Sequence, residues 1–226
     1  MSQAIYGVYG ASGFGKEIMP LLRHQVGSNY DLFFVDDSIE DGSNISLNGH
    51  IGISFNDFLA IDTKEKYIAI AIADSKIRQS LLIKCLDVNI KIINIIANNV
   101  ITLDNVKFGQ GLILCPFVTL TSNITIGTSF HANIYSYVAH DCIIGNYVTF
   151  APSVKCNGNV VIGDNAYIGT GVIIKQGKIN KPLRIGKGSI VSAGSFVTKN
   201  VPDGMTVFGN PAIELTKENM RKMRNG

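Results

Sequence analysis

The 226-residue chain has no tryptophan, and its formal net charge is only +3. No arginine-rich or aromatic-interleaved basic stretch occurs in it, so the electrostatic footprint of a nucleic-acid binder is missing. The four cysteines, Cys85, Cys115, Cys142 and Cys156, lie too far apart to form a CxxC pair. Neither a zinc ribbon nor a dithiol redox centre is therefore read from them, and free cysteines suit a reducing compartment. No uninterrupted apolar stretch approaches the roughly 20 residues of a membrane span. Met1-Ser2-Gln3 does not open a basic segment followed by an apolar run, so no secretory signal is read. These absences leave a soluble, cytoplasmic protein with no nucleic-acid or membrane partner.

What is present is a repeat. In steps of six from Phe108 stand Leu114, Leu120, Ile126, Ala132, Val138, Ile144, Phe150, Cys156, Ile162, Ile168 and Ile174, all apolar. Gly109, Gly127, Gly145 and Gly163 recur every eighteen residues, each just after one of these positions. Hexad repeats read as a parallel β-helix, with three hexads to a triangular coil. Position one of each hexad, Phe108 included, is expected to point inward. So is position five, which places Cys142 and Cys156 in the core. The beat breaks once, where Ile185-Gly186 arrives five residues late, and the extra residues are assigned to 180–184 as a loop at one corner. Such loops commonly line the binding face of a solenoid. The coil is expected over about 97–200, with a basic amphipathic tail, 214–224, as a helical cap.

The first ninety residues have another rhythm. Strands are expected at 4–9, 32–35, 67–73 and 92–96, helices at 16–25, 56–61 and 75–86, and a polar loop over 38–52. Strands alternating with helices predict a parallel sheet, about half the size of a full dinucleotide domain. The fold class is thus mixed, with a small Rossmann-like α/β domain at 1–96 and a parallel β-helix with a C-terminal cap at 97–226.

Three places can carry chemistry. Ser12, Gly13 and Gly15 fall between the first strand and the first helix, where bare amides and the helix dipole make an anion site. Their order, G-x-x-G-x-G, differs from the G-x-G-x-x-G of dinucleotide enzymes. Asp36 and Asp37, at the end of the second strand, can accept hydrogen bonds from a sugar, a ribose or a base edge. The plain alternative for both is a tight turn and a solvated acidic loop. His140 is the third. At hexad position three it is expected on the outer face of the coil, beside a carboxylate, Asp141, that can fix its tautomer and raise its basicity. Asn133, Tyr135, Ser136, Tyr137 and Thr149 supply hydrogen-bonding side chains nearby. A lone surface histidine is the plain reading. His131, at position six, shares no row with His140, which argues against a three-histidine zinc site, and no metal is expected.

The YGASGFG loop, Asp36-Asp37, the run from Phe130 through Val138-Ala139-His140-Asp141-Cys142, Lys155-Cys156-Asn157-Gly158-Asn159 and Gly209-Asn210-Pro211-Ala212 resemble the bacterial nucleotide-sugar N-acetyltransferases. These acetylate 4-amino-4,6-dideoxy sugars for O-antigen and related glycans, and the perosamine enzymes look nearest. The resemblance covers nearly the whole chain. It implies a left-handed β-helix and a homotrimer with acetyl-CoA along the seam between coils, the nucleotide-activated amino sugar being held by the N-terminal domain. It makes His140 the general base, Asp141 the acid that raises its basicity, and Gly158 the residue whose amide faces the thioester oxygen. Ser12, Gly13, Phe14, Asp36, Asp37, Ala73 and Lys76 become substrate contacts, with Asn133 a further candidate. Thr149, Thr170 and Ala193 fall at acetyl-CoA positions. Nucleotide and sugar stereochemistry stay open. The alternatives are sugar or sialic acid O-acetylation on the same scaffold, a non-catalytic nucleotide-sugar-binding solenoid, and a zinc hydratase.

Overall fold

The structure, a computed structural model, describes residues 4–27 and 29–224; Met1-Ser2-Gln3, on which the signal reading rests, lie outside them. The chain divides into two compact units, 1–97 with 110–112, and 98–109 with 113–226.

The first unit is built on β1 (Ala4–Tyr9), followed by α1 (Gly13–Val26) and β2 (Asp31–Val35). β3 (Ile45–Leu47), β4 (His50–Ile53), α2 (Phe55–Ala60), β5 (Glu65–Ile70), α3 (Ser75–Asp87) and β6 (Lys91–Ile92) complete it. The sheet order is β3-β4-β2-β1-β5-β6, parallel except for the antiparallel β3–β4 pair. Apolar strand residues such as Val8, Phe34 and Ile68 are fully buried, and Ile18, Met19 and Leu22 of α1 are buried with them. The expected loop at 38–52 contains the β3–β4 hairpin instead. Its turn is Asn48-Gly49, both at positive φ (49° and 79°), the dipeptide that a two-residue hairpin favours. The strand expected at 92–96 is two short ones, Lys91–Ile92 in this sheet and Ile95–Ile96 outside it.

The second unit is a three-faced coil of two- and three-residue strands. One face carries Ile113–Leu114, His131–Ala132, Thr149–Phe150, Tyr167–Ile168 and Ile190–Val191 in parallel register. The second carries Ile101–Thr102, Thr119–Leu120, Tyr137–Val138, Lys155–Cys156, Ile173–Ile174 and Phe196–Val197. The third carries Val106–Phe108, Ile124–Ile126, Ile143–Ile144, Val160–Ile162 and Leu183–Ile185. Positions one and five do face inward: Val148, Phe150, Val154, Cys156, Val160 and Ile168 are all fully buried. Burying each apolar side chain stabilises the coil by about 1.5–3 kcal/mol. Phe108 departs from the expectation. It lies on the terminal rung of its face, the last strand there among the described residues, and is 40% exposed.

Corners are made by left-handed residues stacked one per coil. Asn105, Asn123, Asp141 and Asn159 have φ of 54° to 58°, a region asparagine and aspartate tolerate better than other side chains. The glycine beat has a steric cause. A Cβ on Gly127 or Gly145 would lie 2.8 Å or 2.7 Å from the backbone nitrogen of Asn146 or Asp164 in the next coil.

The five extra residues sit earlier than expected. Gly177 N–H donates to Gly158 O and Leu183 N–H to Asn159 O, continuing the pattern of the coils below, so the insertion is residues 178–182. Lys178 and Lys181 pair backbone to backbone as a hairpin, whereas Leu183–Ile185 is regular strand. A second break follows. Ile185 pairs with Val201 and Ile190 with Thr206, a sixteen-residue coil. The coil therefore runs past 200 to Thr206–Phe208, where Ile213–Glu214 pairs antiparallel and ends the ladder. α4 (Lys217–Arg224) supplies the expected C-terminal helix. Among the described residues no helix is long and apolar enough to cross a membrane.

Candidate active site

In the first unit the strand order reverses at β1, with β2 on one side and β5 on the other, and the carboxyl ends beside such a switch point form a crevice. The loop after β1 enters it. Gly10 (φ 112°) donates its N–H to Val35 O, and a Cβ there would meet Ile72 Cδ1 at 2.8 Å. A Cβ on Gly15 would lie 1.8 Å from Gly10 O, whereas one on Gly13 would meet nothing within 4 Å. Gly15 is thus structural, while Gly13 presents an open backbone at the first turn of α1. Ser12 is the extended N-cap and makes no side-chain cap bond; Phe14 is half-buried.

Asp36 is occupied by donors of Ala11 and Ser38. Its Oδ2 accepts from Ala11 N–H (2.9 Å), its Oδ1 from Ser38 N–H (3.0 Å) and Oγ (2.7 Å). Desolvation raises its pKa, but these three bonds outweigh that and hold the carboxyl below its ordinary value. Asp37 accepts from Tyr9 Oη (2.7 Å) and Lys84 Nζ (2.9 Å), and Lys84 also lies 4.1 Å from the Phe55 ring centroid. Ala73 and Lys76 flank the start of α3, where Asp74 accepts from Lys76 and Ile77 N–H. Arg78, fully buried, donates from Nη1 to Ile72 O and Ala73 O and so fixes that loop. Lys84 and Arg78 were not singled out from sequence, because a helical spacing of charges carries no mark of which ones turn inward.

In the coil, His140 does not sit on a flat face. It lies in the corner between Tyr137–Val138 and Ile143–Ile144. Its Nδ1 is 2.7 Å from Asp141 Oδ2, with the two side chains 48% and 45% exposed. Asp141 Oδ1 accepts from Asn123 Nδ2 (3.2 Å), and Asn123 Oδ1 from Asn105 Nδ2 (3.0 Å). The carboxyl is held below its ordinary pKa by the His140 bond first and the Asn123 amide second. An ionised carboxylate makes Nδ1 the protonated nitrogen and leaves Nε2 as the acceptor. The ring rests on Gly158 of the next coil, where a Cβ would lie 2.5 Å from both Cε1 and Nε2. Among the described residues no group accepts from the Gly158 N–H. Among the described residues the equivalent amides of Ser122, His140 and Gln176 have no acceptor either, and of these four free donors the one at 158 adjoins the His140 imidazole. Asn157, just before it, accepts from Tyr137 Oη (2.9 Å) and donates to Ile174 O (2.8 Å).

The remaining candidates lie elsewhere on the coil. Asn133 sits at the previous corner, and its Nδ2 donates to Phe150 O (3.1 Å). Thr170 and Ala193 are exposed at that same corner, one coil apart, where Gly194 N–H donates to Thr170 O. Thr149 is buried, in register with the equally buried His131. His131 and His140 thus occupy a face and a corner, and among the described residues no three His, Cys, Asp or Glu side chains group to hold a metal. All four cysteines are buried thiols, and no disulfide occurs among the described residues.

Fold and corner together define a class: an α/β unit with a glycine-loop crevice joined to a β-helix of hexads that presents a histidine–carboxylate pair, the build of hexapeptide-repeat acyltransferases. Comparison with known proteins narrows it. Residues 7–85 match the PglD N-terminal domain. The chain is 49% identical over 217 residues to GDP-perosamine N-acetyltransferase of Escherichia coli O157:H7, covering 94% of this chain and 97% of that one. WeeI from Acinetobacter baumannii AYE superposes with a TM-score of 0.90 at 53% identity, over 94% of this chain and 100% of that one. The acetyltransferase domain of PglB from Neisseria gonorrhoeae FA1090, solved with acetyl coenzyme A, superposes at 0.82 and 25% identity, over 95% and 100%. The chain belongs to the bacterial nucleotide-sugar N-acetyltransferases of the left-handed β-helix type.

Proposed function

We propose that the protein transfers the acetyl group of acetyl-CoA to the C4 amine of a GDP-linked 4-amino-4,6-dideoxy sugar of the perosamine type. The observation that carries the reaction is the corner itself, with an imidazole oriented by Asp141 against Gly158 and its free amide. The 49% identity to GDP-perosamine N-acetyltransferase supports the sugar and the base.

The amine lone pair attacks the thioester carbonyl carbon while both substrates are held together, which supplies much of the advantage by proximity. As the nitrogen becomes cationic, His140 Nε2 takes its proton, the imidazolium being stabilised by Asp141. The Gly158 N–H donates to the oxyanion of the tetrahedral intermediate. Collapse breaks the C–S bond, and the proton on Nε2 passes to the departing thiolate. Amide and CoA–SH result, with no covalent enzyme intermediate. The glycine loop at Ser12, Gly13 and Phe14, with Asp36, Asp37, Ala73 and Lys76, forms the sugar-nucleotide crevice. Asn133 adds to the sugar contacts, and Thr149, Thr170 and Ala193 contribute to the acetyl-CoA seam between neighbouring copies of a homotrimer acting in the cytoplasm.

The test is thiol release from acetyl-CoA against GDP-, UDP- and dTDP-linked 4-amino-6-deoxy sugars and their 4-hydroxy counterparts. The GDP amino sugar is expected to turn over fastest. Preference for the hydroxy sugar would favour O-acetylation, and failure to bind acetyl-CoA would sink the transferase reading. His140→Ala is expected to lose roughly 10²–10⁴-fold in kcat while still binding CoA.

A further inference from the structure

We propose that the thiol of Cys142, backed by that of Cys156, is a positioning group for the reaction: it holds the Asn157–Gly158 peptide so that the Gly158 N–H points out of the coil beside His140. This rests on the acetyltransferase reading above. Both cysteine side chains are fully buried. Cys142 Sγ donates to Asn157 O (3.4 Å), with His140 O a longer alternative (3.6 Å). Cys156 is hydrogen-bonded to the Cys142 sulfur and lies 3.8 Å from the same Asn157 oxygen. Among the described residues no backbone N–H donates to Asn157 O, so this carbonyl is anchored by thiols, which are weak S–H donors.

The anchor reaches Gly158 through the peptide plane. A planar trans peptide directs its C=O and its N–H to opposite sides. With the Asn157 oxygen drawn inward, the Gly158 N–H faces outward, where the His140 ring lies against residue 158. The rest of Asn157 is fixed as well. Its N–H donates to Ile174 O (3.3 Å) and its Nδ2 to the same oxygen (2.8 Å), while its Oδ1 accepts from Tyr137 Oη (2.9 Å). The thiols complete the set and restrain the peptide from rotating as charge gathers on the thioester oxygen. A bond to the carbonyl also polarises the amide and strengthens its N–H as a donor.

The neighbouring coils show that folding does not require these thiols. One coil before and one coil after, the place of Cys142 is taken by Ile124 and Val160, and that of Cys156 by Val138 and Ile174. The corresponding carbonyls, Ala139 O and Lys175 O, accept from no backbone N–H among the described residues, and those coils close with aliphatic side chains beneath them. The two thiols therefore stand where an aliphatic pair would pack, under the corner whose free amide adjoins an imidazole. Buried in apolar surroundings, they are poor nucleophiles, which leaves hydrogen bonding as their chemistry.

The test compares wild type with Cys142→Val, Cys142→Ala, Cys142→Ser and Cys156→Val. Valine fills the site as Val160 does one coil later, and serine keeps a donor. Cys142→Val is expected to melt as wild type does and to keep the KM for both substrates, with kcat down roughly tenfold, the scale of one hydrogen bond. Cys156→Val should lose less, since its thiol lies farther from the oxygen. Cys142→Ser is expected to recover most of kcat while melting lower, because burying a hydroxyl costs more than burying a thiol. Activity and stability then rank the variants in opposite orders, which a packing role would not produce. The amide nitrogen resonance of Gly158 should move in Cys142→Val and Cys142→Ala and return towards wild type in Cys142→Ser. Equal kcat in Cys142→Val and wild type, kcat that follows the melting temperature across the series, or an unmoved Gly158 resonance overturns the proposal. A wild-type protein that neither binds CoA nor transfers acetyl overturns the acetyltransferase reading itself, a distinct result, and the Gly158 resonance still reports whether the thiol holds the peptide.

Discussion

At the scale of single residues, the catalytic corner depends on the absence of one methyl group and the presence of one charge. A Cβ on residue 158 would overlap the His140 ring at 2.5 Å. Because the obstacle is the end of a side chain, the ring can swing aside and the coil need not unfold. Gly158→Ala is therefore expected to melt close to wild type and to lose roughly 10²-fold in kcat, the cost of an ångström-scale misplacement. A loss of folding with no change in specific activity would refute this account. Asp141 makes the complementary case. Its left-handed φ of 58° is shared by Asn105, Asn123 and Asn159, so Asp141→Asn is expected to leave the thermal midpoint unchanged. It removes the negative charge behind the imidazolium, and kcat should fall at least roughly tenfold. Equal kcat in the two proteins would reduce Asp141 to a turn residue.

At the scale of elements, the strand–turn–helix of the first unit separates two glycines that look alike in sequence. Gly15→Ala would drive a methyl into the Gly10 carbonyl at 1.8 Å, backbone against backbone. Overpacking of this kind costs about 1–3 kcal/mol or more, visible as a lowered denaturation midpoint. Gly13→Ala meets nothing in the protein and should fold normally, yet raise the KM for the sugar nucleotide if the diphosphate approaches that turn. An unaltered KM would place the diphosphate elsewhere. Sequence could locate this loop because Gly and Ser between a buried strand and a helix have few other uses. It could not say which glycine was steric, since that depends on a carbonyl five residues back. The β3–β4 hairpin was missed although Asn48-Gly49 signals its turn, because a polar composition masked strands of three and four residues. Inward positions of the hexads were readable from period alone. The ring contact at Gly158, the Asn105–Asn123–Asp141 ladder and the Lys84–Asp37 pair were not, because each joins residues whose distance is set by coil geometry or by helix rotation.

At the scale of the whole molecule, the coil tolerates breaks where its ladder can resume. The hexad beat assigned the excess to 180–184, since counting finds only where an apolar residue returns. The hydrogen bonds move it to 178–182. Gly177 donates to Gly158 and Leu183 to Asn159, as Asp141 and Asn159 donate to Ser122 and His140 in the coils before. Excising residues 178–182 would leave these two donors adjacent, restore eighteen residues between Ile162 and Ile185, and place Gly177 where the left-handed asparagines stand below it. A glycine accepts that conformation without strain. Ile174, Leu183 and Ile185 are buried and keep their partners, while the excised segment is mostly exposed, Ile179 at 84%. The shortened chain is thus expected to retain its oligomeric state, its far-ultraviolet circular dichroism and a thermal midpoint within a few degrees of wild type. Loss of cooperative melting would show instead that the hairpin closes the coil, and that this interruption of the beat is part of the fold.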